Sequence, residues 1–329
     1  MTPIIKTFNL TKIFGSNTAV NSISLEVHKG EVFGLLGPNG AGKTTFLSML
    51  CTILKPTSGT AVINGYDIVQ DSAMVRRSIG IVFQDPSVDT DMTSRENLQM
   101  HADLYDVPVS EQASRIQEVL TLVQLEDRAD DFLNTYSGGM RRRLEIARGL
   151  LHYPRVLFLD EPTIGLDPQS REHIWSYIRQ LREREDMTLI LTTHYMEEAD
   201  ELCDRIAIID HGSIVALDTP SALKQTVGCE MILLKTEEPE KLQSLLAYIP
   251  EIDTIRVIDD EVRISIPNAD DELPRIMEIA FREGVHMSSV HLSRPDMNDV
   301  FMHYTGREIR EEGPESVSRM RMMRRRSRR

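Results

Sequence analysis

With 329 residues, 41% of them hydrophobic, the chain is long enough for two domains and apolar enough to give each a packed core. Its formal net charge of −14 argues against a broad nucleic-acid surface, which would present a basic stripe to the phosphates. No run of about eighteen apolar residues and no basic, apolar leader is present, so neither membrane spanning nor secretion is expected; the three scattered cysteines, Cys51, Cys203 and Cys229, fit neither a full disulfide framework nor a metal-binding spacing.

Up to about Gly30, residues 7–14 and 21–27 read as strands of an antiparallel sheet, which residues 61–63 and 79–83 are expected to continue. Residues 31–36 (EVFGLL) form a short apolar run of the kind a buried parallel strand needs, and Phe46, Leu47, Leu50, Ile53 and Leu54 then recur at helical spacing. Between this strand and helix lies Gly37-Pro38-Asn39-Gly40-Ala41-Gly42-Lys43-Thr44-Thr45, a match at every fixed position to G-x-x-x-x-G-K-[ST]. Glycines let successive backbone N–H groups face phosphate oxygens, and the helix adds its positive end. Lys43 is then placed for the β- and γ-phosphates and the Thr44 hydroxyl for Mg²⁺, so ATP or GTP with Mg²⁺ is the expected ligand.

Residues 91–131 turn helical, with Leu98, His101, Ala102 and Tyr105 on one face and Ile116, Val119, Leu120 and Val123 on another, which marks an inserted helical subdomain at about 90–150. Within it, Tyr136-Ser137-Gly138-Gly139-Met140 opens a helix that Ser137 can cap and whose apolar face runs through Met140, Leu144, Ala147 and Leu151. Two glycines at a helix start make a second anion site, one the first loop's phosphates cannot fill unless the chain folds back or another copy approaches. Taken alone, Ser-Gly-Gly is a turn and residues 141–143, all arginine, are a solvated face.

After Pro154 strands and helices alternate, as in an α/β core. Residues 156–159 are apolar and end in Asp160-Glu161, the form of a buried strand delivering carboxylates beside the phosphate loop. Asp160 is expected to hold Mg²⁺, through water, and Glu161 to orient an attacking water, because phosphoryl transfer needs positioning and charge stabilisation. From Glu230 the order strand, helix, strand, strand, helix, strand suggests a split βαβ layout. Residues 318–329 carry seven arginines and no acid, either a solvated disordered end or a contact for anionic lipid or an acidic partner.

Several of these motifs occur in the order found in the ATP-binding cassette ATPases, which the first 220 or so residues resemble: the phosphate loop, Gln84, Ser137-Gly138-Gly139, Asp160-Glu161, Gly165-Leu166-Asp167 and His194. The resemblance implies a P-loop α/β cassette over residues 1–225, with a RecA-like core, an antiparallel β subdomain and the helical subdomain. The order of elements after Glu230 and the composition of the end give, separately, a small α+β ferredoxin-like domain at 229–310 and an Arg-rich disordered tail at 311–329, the tail lying outside the resemblance. The resemblance further implies a homodimer that sandwiches two ATP molecules head to tail. Phe14 would stack on adenine, Gln84 would sense Mg²⁺ and the water, and Ser137 with Gly139 would touch the opposite γ-phosphate. Asp167 would belong to the same nucleotide interface, and His194 would hold the γ-phosphate near Glu161. Met140, Tyr136 and Phe14 replace the family's commoner glutamine, leucine and tyrosine, whereas His28, His101 and His211 read as ordinary histidines.

Residues 293–307 (SRPDMNDVFMHYTGR) resemble the C-terminal end of drug-export ATPase subunits of the daunorubicin-resistance type. The implied role is the ATPase subunit of an exporter of a drug-like or lipid-like compound, cytoplasmic and bound to the inner face of the membrane through a separate permease. The alternatives are a soluble cassette ATPase acting on ribosomes or nucleic acid, with the basic tail as docking element, and a C-terminal module that senses a small molecule.

Overall fold

The computed structural model describes residues 3–182, 187–228, 230–267 and 269–306. The Arg-rich segment at 311–329 and Cys229 lie outside the described residues. The chain divides into two compact units, with the boundary after Pro220 and the second unit spanning Ser221–Arg307.

The first unit opens with β1 (Pro3–Phe14), β2 (Asn17–Ile23) and β3 (Glu26–His28), then β4 (Val32–Leu36), α1 (Lys43–Leu50), β5 (Ser58–Ile63), β6 (Tyr66–Asp67), α2 (Ser72–Ser78) and β7 (Ile79–Val82). Helices α3 (Ser94–Leu104), α4 (Val109–Leu122) and α5 (Gly138–Leu150) follow, then β8 (Val156–Asp160), α6 (Pro168–Arg182), β9 (Thr188–Thr193), α7 (Met196–Leu202), β10 (Arg205–Asp210) and β11 (Ser213–Asp218). Strands β1, β2, β3, β5 and β6 make the antiparallel sheet. The expected single strand at 21–27 is two, because the ladder beside β1 breaks where Asn9 takes a positive φ of 46° and Ser22 one of 51°. The Thr7 hydroxyl fills the gap, donating to the Ile23 carbonyl and accepting from Leu25 N–H.

The second sheet runs β11-β10-β4-β9-β8-β7, parallel except for the antiparallel edge strand β11. Residues 79–83, assigned from sequence to the antiparallel part, therefore belong here: β7 pairs in parallel with β8, and Gly80 lets it approach α5 so closely that a Cβ would sit 2.2 Å from the Gly149 carbonyl. Strands β4, β8 and β9 are buried along their whole length, which is why they carry Val, Leu, Ile and Phe without alternation. Their carboxyl ends lie side by side, Leu36 against Thr193 and Thr192 against Asp160, and so line up the segments that follow them. Helix α1 ends at Leu50, sooner than the apolar spacing implied, since Thr52 takes φ 60° and Ile53 is 54% exposed.

Where α3 meets the end of α5, His101, Tyr105 and His152 cluster, with the Tyr105 ring stacked on His152 at 4.0 Å between centroids. His152 Nε2 donates to the Ile79 carbonyl, whereas His101 Nε2 is buried without a hydrogen-bond partner among the described residues. Burial first, then the charges of Arg148 and His152, push the His101 pKa down from 6.5 to about 3. The unfolded chain accepts that proton near pH 6.5 and the folded chain refuses it until about pH 3, so stability should fall as pH drops through this window. Urea titrations at pH 7 and pH 4 are expected to show a smaller acid loss for His101→Phe than for the unaltered chain, by a few kcal/mol. Equal losses would remove His101 as the cause.

The second unit comprises most of α8 (Pro220–Val227), then β12 (Glu230–Thr236), α9 (Pro239–Leu246), β13 (Thr254–Ile258), β14 (Glu261–Ile266), α10 (Ala269–Arg282), β15 (Met287–Ser293) and α11 (Met297–Thr305). Its antiparallel sheet, ordered β13-β14-β12-β15, is the ferredoxin-like arrangement that the order of elements suggested. Ile232, Leu234, Val262 and Ile264 face Leu242, Leu246, Ile276 and Ala280 of the two helices, and this makes its own core. Helices α8 and α11 were not foreseen; Asp296 starts α11 with a reciprocal capping box to Asp299.

Candidate functional site

The loop between β4 and α1 borders a cleft of about 460 Å³ lined by Pro38, Asn39, Gly40, Gly42, Lys43, Thr44 and Thr45, with Phe14 at one side and Gln84 and Glu161 at the other. Glycine is required at two points of the loop. Gly42 has φ 108° and a Cβ there would lie 2.3 Å from the Ala19 carbonyl; at Gly37 it would lie 2.4 Å from that of Ile209. Ala41 is buried behind the loop, where its carbonyl accepts from Gly212 N–H. Helix α1 begins at Lys43 with no side-chain cap and no acid in its first turn, so its first amides face the cleft side of the loop unclaimed by the protein's own side chains.

Lys43 is only 4% exposed; its ammonium donates to the Gly37 and Pro38 carbonyls and stands 3.2 Å from Glu161 Oε1. Burial lowers its pKa, against the opposing pull of Glu161 and Asp160. Asp160 Oδ1 accepts from the Thr192 hydroxyl at 2.5 Å and from the Thr44 hydroxyl at 3.3 Å. Burial, reinforced by the neighbouring Glu161 charge, raises the Asp160 pKa, so this carboxylate favours a cation beside it.

Glu161 sits one residue past the end of β8 in a left-handed conformation, φ 46°, held there by backbone and side-chain bonds from its N–H to Thr192. His194 Nδ1 lies 3.3 Å from Glu161 Oε1 without the alignment of a hydrogen bond, and Gln84 Nε2 donates to Oε2 at 3.4 Å. Burial works against the Glu161 charge, but His194 and Lys43 outweigh it and keep the carboxyl below its ordinary range. Two adjacent acids are thus driven in opposite directions, the arrangement expected when they do different jobs.

Gly40, Gly42, Lys43, Thr44, Gln84, Asp160, Glu161 and His194 therefore converge. Phe14 stands at the cleft side with 47% exposure and the Lys12 ammonium 5.1 Å from its ring centroid. Ser137, Gly138, Gly139 and Asp167 do not line this cleft. They form a second cluster: the Ser137 hydroxyl accepts from Met140 N–H, a Cβ on Gly139 would lie 2.7 Å from Ser170 Oγ, and that hydroxyl donates to Asp167. Tyr136 is buried and hydrogen-bonded to the Ser94 hydroxyl and the Arg128 carbonyl, so it anchors the cluster's rear.

Three features were missed from sequence. The turn His211-Gly212 forms a wall of the cleft, Thr192 holds both acids, and Arg142 is no part of a solvated face but is 7% exposed behind them. None had a signal in the spacing: Arg142 lies two residues from both Met140 and Leu144, about 200° around the helix from the apolar face read in sequence.

The fold and this cleft define an ATPase of the P-loop cassette class. Residues 20–164 match the family model described as "ABC transporter", and residues 219–305 match "ATP-binding protein DrrA1-3-like, C-terminal domain". The linearmycin resistance ATP-binding protein LnrL of Bacillus subtilis is 38% identical over 307 residues, covering 92% of this chain and 98% of that one. The doxorubicin resistance ATP-binding protein DrrA of Mycobacterium tuberculosis is 40% identical over 298 residues, covering 88% and 89%. The dimeric ATP-binding cassette MJ0796 in a post-hydrolysis state with ADP and Pi superposes with a TM-score of 0.59 at 28% identity, covering 65% of this chain and 98% of that one. The chain belongs to the ABC transporter family, as one of its ATP-binding, ATP-hydrolysing subunits of the DrrA-like kind.

Proposed function

We propose that the chain powers export of a drug-like or lipid-like compound through a separate membrane permease, by closing and reopening a head-to-tail homodimer around two ATP molecules. One observation carries the dimer: the residues suited to phosphate form two clusters, Gly40, Gly42, Lys43 and Thr44 in the cleft and Ser137 with Gly139 outside it, and each is half of a nucleotide site. In this reading Gly37 to Thr45 hold the phosphates, Phe14 stacks on adenine, and Ser137, Gly138, Gly139 and Asp167 close the partner's nucleotide. Thr44, Asp160 and Gln84 are the donor set for Mg²⁺, which supplies charge neutralisation at the β- and γ-phosphates; one carboxylate with hydroxyl and amide oxygens suits an ion that keeps several waters. Glu161 orients and polarises the attacking water, and His194 holds the γ-phosphate against it.

Two resistance proteins of matching length and the DrrA-like C-terminal match support the exporter role over a soluble one. Among the described residues no helix is long and apolar enough to cross a membrane. In this reading the compound passes through a separate integral membrane permease, and this chain lies on the cytoplasmic side, held to the inner face of the membrane by that permease. Purification of the tagged chain from detergent-solubilised membranes at moderate salt is expected to recover an integral membrane protein. Recovery of ribosomal or nucleic-acid partners alone would overturn the reading. Contact of residues 318–329 with anionic lipid is part of the proposal; deleting them should weaken binding to anionic vesicles at low salt, and unchanged binding would remove that contact.

A further inference from the structure

Helix α5 begins at the Ser137 cap and carries Arg142, Glu145 and Arg148 at successive turns, the first two buried and Arg148 partly so. Arg142 has five N–H groups and each finds an acceptor. Nε donates to the Pro162 carbonyl at 2.7 Å, and Nη2 donates to the carbonyls of Asp160 at 2.9 Å and Glu161 at 3.1 Å. Nη1 donates to the Phe83 carbonyl and to Glu145 Oε2 at 3.0 Å. Glu145, 1% exposed, uses its other oxygen to accept from Ser87 N–H at 2.7 Å, and Arg148 donates to the Ser87 carbonyl at 2.7 Å and to its hydroxyl. The loop that carries Gln84 is thus gripped at Phe83 and Ser87 by one helix. The same guanidinium fixes the backbone of both acids.

We propose that the Arg142–Glu145 pair is a coupling element: it transmits engagement of Ser137 and Gly139 with the partner's nucleotide to Gln84 and Glu161 at the chain's own nucleotide. This rests on the head-to-tail reading above. Arg142 lies five residues, about 7.5 Å along the axis, from the Ser137 cap, so a displacement of the helix start reaches it within a rigid element. Because its bonds go to the backbone of Phe83, Asp160, Glu161 and Pro162, that displacement acts on the geometry of both Gln84 and Glu161 together. The fan is also specific to arginine, since lysine offers three donors from a single point and cannot span four carbonyls. Arg142 is therefore a positioning residue that touches neither nucleotide.

Buried ion pairs are often replaceable by apolar residues of similar volume without loss of folding, so Arg142→Met/Glu145→Leu separates coupling from stability. Steady-state hydrolysis over a range of ATP concentrations, with thermal unfolding as a control, is the measurement. The double variant should lose about 10²-fold in kcat, the scale set by misplacing a catalytic group, while KM for ATP stays within about threefold. Its Hill coefficient should fall to 1, and Arg142→Lys should give intermediate values of both. If the double variant does not fold, Arg142→Lys alone decides, with reduced kcat and cooperativity expected. Cooperative hydrolysis by the unaltered chain, matched in kcat and Hill coefficient by the folded variants, would overturn the coupling while leaving the dimer intact. Hyperbolic hydrolysis by the unaltered chain would also overturn the coupling, whereas failure of Glu161→Gln to dimerise with ATP and Mg²⁺ would remove the head-to-tail reading itself.

Discussion

Glu161→Gln is expected to bind ATP, close the dimer and turn over about 10²–10⁴ times more slowly than the unaltered chain, the range that general acid–base groups contribute. Glutamine keeps the volume and the hydrogen-bonding reach of the carboxylate, so the left-handed turn after β8 and its bonds to Thr192 persist. What disappears is the negative charge that His194 and Lys43 hold ionised against burial. A water cannot then be polarised from that side. Lys43, released from an ion pair with a 4%-exposed ammonium and a 5%-exposed carboxylate, becomes more available to phosphate, so nucleotide affinity should hold or rise. Size-exclusion chromatography with ATP and Mg²⁺ should show a stable dimer of the variant, and single-turnover assays should show the slow chemical step. Turnover within about threefold of the unaltered chain would assign the water-orienting role elsewhere.

The phosphate loop was legible because its chemistry is local: Gly42 needs φ 108° and Lys43 must follow it, so residue types and spacing alone fix both. The Asp160-Glu161 pair was legible for a similar reason, an apolar run ending in acids. Neither Thr192 nor the His211-Gly212 turn could be found that way. Each enters the site only because β9 pairs beside β8, and β10 beside β4, contacts set by strand order and not by neighbours in sequence. Residues 79–83 show the same limit, since a four-residue strand looks alike whether it joins a parallel or an antiparallel sheet. In the C-terminal unit the order strand, helix, strand, strand, helix, strand was enough to suggest the split βαβ layout, and the sheet takes the matching order β13-β14-β12-β15. Arg142 is the instructive miss: a run of three arginines suggests a solvated face, yet only the middle one is buried, because helical rotation turns it toward four carbonyls.

Lys43→Ala should weaken ATP binding by about 10²-fold, the loss expected when a charged hydrogen-bond donor to a phosphate is removed. Two effects combine here. The cleft loses the only lysine or arginine that lines it among the described residues. Glu161 also loses one of the two groups that hold its pKa down, so burial gains weight and its carboxyl shifts upward. The sign can be checked by stability. In the unaltered chain the depressed Glu161 pKa stabilises the fold above the unfolded value of 4.5, and that contribution is lost as pH falls. Without Lys43 the buried carboxylate is less well compensated and takes up its proton more readily, so the variant should lose less stability than the unaltered chain as pH falls through the ordinary carboxylate range. The nucleotide-induced rise in Tm should shrink to a small fraction at ATP concentrations that saturate the unaltered chain, because stabilisation by a ligand grows with the logarithm of one plus its concentration over Kd. A full ATP-dependent Tm shift in Lys43→Ala would show that the loop's backbone amides hold the phosphates by themselves, leaving Lys43 to act on Glu161 alone.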